Sequence, residues 1–314
     1  MKFSKIIGHD GIKDKLSKIA AVPQTYLFYG PPSIGKRTIA YNLARYILCI
    51  GSKEDDCRCK NCENFDNGHP DFLTLGTAGK ILVADVDGLI DFVSRAPLCS
   101  DTKVVVIDNV DIISMEAANR LLKTLEESHF IFFLITSRLK SVLPTVRSRC
   151  IKFQFEALSQ DDIVNILWQR MGFDLPQARI IGWIGAGSSV DIFSNAGLYL
   201  KYRDMIFEFL PQLFGKDLLS VLDFVDKVPR PDLPIFIDML VLVMTDLLIL
   251  KQNLETIVNS DRRTDLTKMS VHPVKVLIVA LNSLTQVKVN SYLNINLNLA
   301  LKSTLIKVWN IFKA

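Results

Sequence analysis

The chain has 314 residues, more than one hydrophobic core usually organises, so two or three domains are expected. At 49% hydrophobic and 22% charged residues it can fill those cores, and no low-complexity tract, internal repeat or long Gly/Ser or Pro linker interrupts it. A net charge of +4, with a pI near 8.6, permits contact with nucleic acid but lacks the concentration of Lys and Arg that dedicated binders carry.

The opening residues MKFSKIIGHDGIKDKLSKIA are basic but contain no apolar core of the length a signal peptide needs, which points away from export and towards the cytoplasm. TYLFYG (25–30) reads as a strand, and IAYNLARYILC (39–49) as a helix leaving the intervening loop. KVVVID (103–108) and FIFFLIT (130–136) are continuous apolar runs of strand length, as in strands buried on both faces of a parallel sheet, and AANRLLKTLEES between them reads as a helix. Strand, helix and strand in alternation predict an α/β sheet with right-handed crossovers. Beyond Phe155 the pattern is helical throughout, starting at Ser159 with Asp162 as a helix N-terminus. The stretch IFIDMLVLVMTDLLIL (235–250) is shorter than a bilayer span and broken by Asp238 and Asp246, so it reads as a buried helix and no membrane partner is expected. SYLNINLNLALKSTLIKVW near the C-terminal end alternates briefly like a strand but is read as a helix, since no partner strand is evident nearby. Boundaries fall best at 1–156, 157–203 and 204–314.

The loop GPPSIGKRT (30–38) approaches the phosphate cradle G-x-x-x-x-G-K-S/T, whose glycines let the backbone come close, whose Lys meets the β/γ-phosphates and whose hydroxyl holds Mg²⁺. Gly30, Gly35 and Lys36 are in register, but Arg37 stands at the hydroxyl position and Thr38 comes one residue late, about 100° further round the helix. Asp108, ending the VVVID strand, is placed to hold a metal, or merely to end a strand. The next residue, where a base would activate water, is Asn109, whose amide cannot take a proton near neutral pH. Asp111 is a displaced alternative on the far side of a turn. The pattern predicts no turnover and leaves ATP or ADP binding open.

Cys49, Cys57, Cys59 and Cys62 have the spacing C-x7-C-x-C-x2-C. Four thiolates satisfy structural zinc, with His69 as a possible substitute ligand, and four reduced unliganded thiols are the alternative. Cys99, Cys150, His9, His129 and His272 stand outside any such pattern. The segment LPTVRSRC (143–150) carries Arg147 and Arg149, which on residue type alone read as solvated charge.

In combination, TYLFYGPPSIGKRTIAYNLARYILC, the cysteine insertion, GHPDF, KVVVIDNVDIISMEAANRLLKTLEES and LPTVRSRC resemble the clamp-loader subunits of bacterial DNA polymerase III, within the AAA+ group, over most of residues 1–155. The resemblance implies a RecA-like AAA+ ATPase domain (1–156), a small helical lid (157–203) and an all-α collar (204–314) through which five subunits form a ring. It implies other clamp-loader subunits of gamma/tau and delta type as partners, with the sliding clamp and primer-template DNA engaged through the complex. In the hydrolysing subunits the loop ends in Gly-Lys-Ser/Thr, the acidic strand in Asp-Glu, and an Arg follows Gly-Ser-x in the lid. Here those positions hold Arg37, Asn109 and, in GAGSSVD, Val190. The retained Ser148-Arg149-Cys150 supplies, in that family, an arginine finger to a neighbour's ATP. The profile is similar to the delta prime type, a stator that does not fire itself. A degenerate but active gamma/tau-type ATPase is the alternative, and a zinc-bearing DNA-binding module on an AAA+ fold is a third reading, although CRCKNC supplies no base-reading helix.

Overall fold

The computed structural model describes every residue except 1–2, 4–5, 20–23, 66, 78–80, 128, 186–191, 216, 253–256, 271, 291–295 and 314. The chain divides into two compact units, Met1–Asp162 and Ile163–Ala314.

In the first unit α1 (Asp10–Ile19) precedes β1 (Thr25–Tyr29), and the phosphate-type loop leads into α2 (Lys36–Ile47). The cysteine insertion carries the short α3 (Lys60–Asn64), followed by β2 (Phe72–Leu75), α4 (Val83–Ser94), β3 (Val104–Ile107), α5 (Met115–Glu127), β4 (Ile131–Thr136), the single turn α6 (Pro144–Arg147) and β5 (Ile151–Gln154). The sheet is parallel throughout, in the order β2-β3-β4-β1-β5, with Leu27 paired to Leu134 on one side of β1 and to Lys152 on the other. This is the parallel sheet that the RecA-like reading of the sequence expects, with the strand that enters the loop at its interior.

Alternation across the strands sorts the side chains into two chemically different faces. Tyr26 and Phe28 of β1 meet Phe133 of β4 and Phe153 of β5 with ring centroids 5.4–6.2 Å apart, an aromatic layer in stacked, tilted and edge-on pairs. Leu27, Val105, Ile107, Phe132 and Leu134 point the other way and pack with Val86 and Leu89 of α4 and Ala117, Leu121 and Leu125 of α5. The predicted interior strands are all present. The strands β2 and β5 are four residues each at the two edges of the sheet; β2 is only partly buried and β5 buries Phe153 alone, so neither carries an apolar run long enough to register as a strand.

The second unit begins within α7 (Gln160–Met171), whose N-terminus is the expected capping pair: Asp162 N–H donates to Ser159 Oγ at 3.1 Å and Ser159 O–H to Asp162 Oδ2 at 2.8 Å. It contains α8 (Leu175–Gly185), α9 (Ala196–Phe214), α10 (Leu218–Asp226), α11 (Leu233–Lys251), α12 (Arg263–Met269), α13 (Val274–Asn290) and α14 (Leu297–Lys313). Its described residues contain helices and no strand, as expected; α9 runs unbroken through positions 203 and 204. The helix α11 is apolar on all sides, and with the turn before it, from Arg230 to Lys251, it is long enough to cross a membrane by length and composition, contrary to the reading of 235–250 as too short; most of it is nevertheless buried, as expected, packed against α9 and α13. Of the C-terminal stretch read as a helix, α14 is helical from Leu297, and residues 291–295 lie outside the described set.

Candidate functional site

In a parallel sheet the strands deliver their C-terminal ends to one edge, and there Gly30 after β1, Asp108 after β3 and Ser137 after β4 come together. Gly30 has φ +150° and a side chain would place its Cβ 2.2 Å from the Phe155 carbonyl oxygen, so only glycine passes between β1 and β5 here. His9 braces the loop by a 2.7 Å bond between its Nε2 and the Ile34 carbonyl. Lys36, in the first turn of α2, is buried, and its ammonium donates to the Gly30 carbonyl at 2.9 Å, to the Pro31 carbonyl and to Ser137 Oγ at 3.4 Å. Burial lowers its pKa to about 8 against the opposing pull of Asp108 and Asp111.

At the position where the family pattern has a hydroxyl, the Arg37 guanidinium lies over the Tyr41 ring, 5.2 Å from its centroid, and 3.9 Å from Asp108 Oδ2. Tyr41 is itself fixed by an O–H bond of 2.9 Å to Thr74 Oγ1 of β2. Asp108 thus faces an organic cation from its own chain. Burial raises its pKa, opposed by the Asn109 N–H at 2.9 Å and by Arg37 and Lys36. Asn109 takes a left-handed conformation, φ 51°, and donates its amide to the Gly76 carbonyl at 3.3 Å. Asp111, the displaced-base candidate, is committed elsewhere: it accepts from Thr136 O–H at 2.7 Å and from Arg138 Nε at 2.9 Å. Thr38 is exposed on α2, its carbonyl bonded by Asn42. The lid position Val190 lies outside the described residues.

The thiols of Cys49, Cys57, Cys59 and Cys62 converge, their sulfurs all within 4.8 Å of one another. Cys49 Sγ is 3.6 Å from Cys57 Sγ and 3.8 Å from Cys59 Sγ. A tetrahedron with zinc–sulfur bonds of about 2.3 Å has edges of about 3.8 Å, so the set is close to the size a zinc ion requires. The one-residue gap between Cys57 and Cys59 is accommodated because Gly51 lies beneath them, where a Cβ would be 2.6 Å from Cys57 Sγ. Hydrogen bonds, first from Ser52, bring the Cys57 thiol down to about 6, towards the thiolate a metal binds. His69 is not part of this cluster: it is buried, and its Nδ1 accepts the Asp71 N–H at 3.0 Å. The buried Asn61 ties the insertion to the sheet domain by donating to the carbonyls of Leu48 at 2.8 Å and Cys99 at 3.0 Å.

Arg149 lies at the other edge. It precedes β5, which runs parallel to β1 from the level of Tyr26 to that of Tyr29, so about 13 Å of strand separates its turn from the end of β1 that enters the loop. Its segment is not extended: Pro144 opens the helical turn α6, which ends at Arg147, and Arg149 lies in the turn that follows. Arg147 buries its Nε, whereas Arg149 remains partly exposed, pairs with Glu126 of α5 and donates Nη1 to the Thr145 carbonyl at 2.8 Å. Cys150 turns inward, its thiol pushed up to about 12 by burial. Glu126 escapes sequence reading because its partner Arg149 lies 23 residues away, and Tyr41 in part because Thr74, which orients it, lies on β2.

Residues 11–159 match the family described as DNA polymerase III, delta subunit. The DNA polymerase III subunit gamma of Buchnera aphidicola subsp. Schizaphis graminum is 33% identical over 60% of this chain and 56% of its own length. Subunit tau of Escherichia coli K12 is 32% identical over 51% of this chain and 26% of its own. A solved gamma subunit-related protein of Thermotoga maritima aligns with 96% of this chain and 99% of its own at 18% identity and a TM-score of 0.46. The chain spans about half the length of the first of these relatives. The protein is thus similar to DNA polymerase III subunits of the delta kind over residues 11–159, and to those of the gamma and tau kinds over half of the chain or more.

Proposed function

We propose that this chain is a non-hydrolysing, stator-type subunit of a DNA polymerase III clamp loader, of delta prime type, and that Arg149 completes the ATP site of a neighbouring subunit. The observation that carries the reading is the Arg37 guanidinium beside Asp108: a cation of the chain itself stands where a hydrolysing site needs a metal ligand, and Asn109 supplies no base. Gly30, Gly35, Lys36, Thr38 and Asp108 are then the remnant of a nucleotide site. In this reading residues 157–203 act as a lid and 204–314 as a collar in a five-subunit cytoplasmic ring that loads a sliding clamp on primed DNA.

The purified chain is expected to hydrolyse ATP with Mg²⁺ far below about 1 s⁻¹, the low end of ordinary enzymes, both alone and at its own site in the assembled complex. Metal-dependent turnover above that rate overturns the stator reading and establishes the alternative, an active ATPase subunit of gamma/tau type.

The same reading includes a structural zinc ion on Cys49, Cys57, Cys59 and Cys62, with no open position for chemistry. Protein purified without chelators is expected to contain one zinc per chain, and chelation to expose four thiols and loosen the insertion while the sheet stays folded. Absence of zinc together with four freely titrating thiols refutes it.

A further inference from the structure

We propose that Glu126 is a positioning residue for Arg149, holding its guanidinium in the plane in which it meets the neighbour's phosphate; this rests on the trans reading above. The geometry is specific. One carboxylate oxygen of Glu126, in the last turn of α5, faces both Nε and Nη2 of Arg149, while Nη1 donates to the Thr145 carbonyl at 2.8 Å. A guanidinium has five N–H donors in a rigid fork. Two acceptors on different elements, α5 and α6, take up three of them and fix the plane. Among the described residues the other two have no partner, and two is the number a bidentate grip on phosphate oxygens uses.

As a contribution to folding the pair is weak, because both side chains are partly exposed, at 35% for Arg149 and 47% for Glu126. Its effect on catalysis is of another kind. An unpaired arginine at the surface samples many rotamers, and each encounter with a triphosphate would have to select the productive one; a side chain already held in place avoids that loss. Glu126 lies at the same sheet edge as Arg149, at the end of the helix that leads into β4, remote from the chain's own loop. It therefore serves the outgoing arginine and not the remnant nucleotide site.

The test uses the full chain assembled with the clamp-loader ATPase subunits of its own bacterium, with ATP, clamp and primed DNA, and the variants Glu126→Ala, Glu126→Gln, Arg149→Ala and each pairing with Arg149→Ala. Displacement of a reacting group by about 1 Å costs up to about 100-fold, so loss of orientation with charge retained is expected to lower kcat about tenfold, with KM for ATP within about twofold. In the Arg149→Ala background the Glu126 substitutions are expected to have no further effect, because Glu126 acts only through the arginine. Wild-type kcat in Glu126→Ala and Glu126→Gln, alongside a loss in Arg149→Ala, overturns the inference and leaves the trans reading standing. A Glu126 effect of equal size in both backgrounds assigns Glu126 to structure and also overturns it. Unchanged hydrolysis in Arg149→Ala removes the trans reading itself, and the inference with it.

Discussion

Arg149→Ala in the assembled complex is expected to slow hydrolysis at the adjoining site by about 10³- to 10⁵-fold, the range found for arginine fingers in nucleotide-hydrolysing systems, with a smaller loss summed over a ring of several sites. The guanidinium is always charged and planar, so it can follow negative charge as it redistributes over the γ-phosphate oxygens. Arg149→Lys keeps a charge but not the fork and should recover little. The variant should fold: what it loses is an exposed ion pair, worth about 1 kcal/mol or less, and one bond to the Thr145 carbonyl. Clamp- and DNA-stimulated hydrolysis are measured after equal assembly of both complexes has been verified. Equal rates would return LPTVRSRC to the status of a solvated surface segment.

Asp246→Ala is expected to be the most damaging single change in the second unit. Asp246 is fully buried in α11, where its Oδ1 accepts the Val258 N–H at 3.0 Å and its Oδ2 accepts the Asn259 N–H at 2.8 Å and side-chain amide at 2.7 Å. Asn259, itself fully buried, passes the connection on by accepting from Arg203 Nε of α9 at 2.7 Å, and Arg203 pairs with Asp261. Truncation leaves three donors without an acceptor in the interior, at about 1–3 kcal/mol each, so a loss of at least about 3 kcal/mol is expected. That is a large share of the stability of a typical domain. Urea denaturation of the full chain measures it; a loss below about 1 kcal/mol would mean that the network does not hold α9, α11 and the segment around Asn259 together. Asp246→Asn keeps the shape but replaces an acceptor by a donor facing donors, and should also be destabilised.

The two aspartates that interrupt the apolar run 235–250 show how much was legible and how much was not. Their presence was enough to read a buried helix, because a bilayer tolerates such groups poorly, but which backbone groups Asp246 satisfies depends on a segment twelve residues away. The same division runs through the first unit. Continuous apolar runs announced β1, β3 and β4 because those strands are buried on both faces, while β2 and β5, short and at the edges, carried no comparable signal. The loop pattern was legible because backbone geometry dictates where glycine must stand. The seat of Arg37 on Tyr41 was only half so: the two are four residues apart on α2, but Tyr41 is oriented by Thr74 of β2. Cysteine spacing disclosed the thiol cluster without disclosing that Gly51 makes room for it or that His69 is occupied elsewhere. Arg149 could be singled out by resemblance, but not Glu126, whose partnership depends on the sheet bringing α5 and α6 together at one edge.

The phosphate-type loop and Arg149 lie at opposite edges of one parallel sheet, which on the proposed reading gives the unit a polarity, with a receiving end and a donating end. Units with two such unlike ends associate head to tail, a heterologous arrangement in which every junction reads in the same direction. Where the receiving end is inert, a unit terminates such a series: it can equip the site on one side but gains nothing from an arginine offered on the other. On the proposed reading, a second copy placed next to the first would offer its arginine to a site that lacks both metal ligand and base, so of two adjacent copies only one could equip a productive junction.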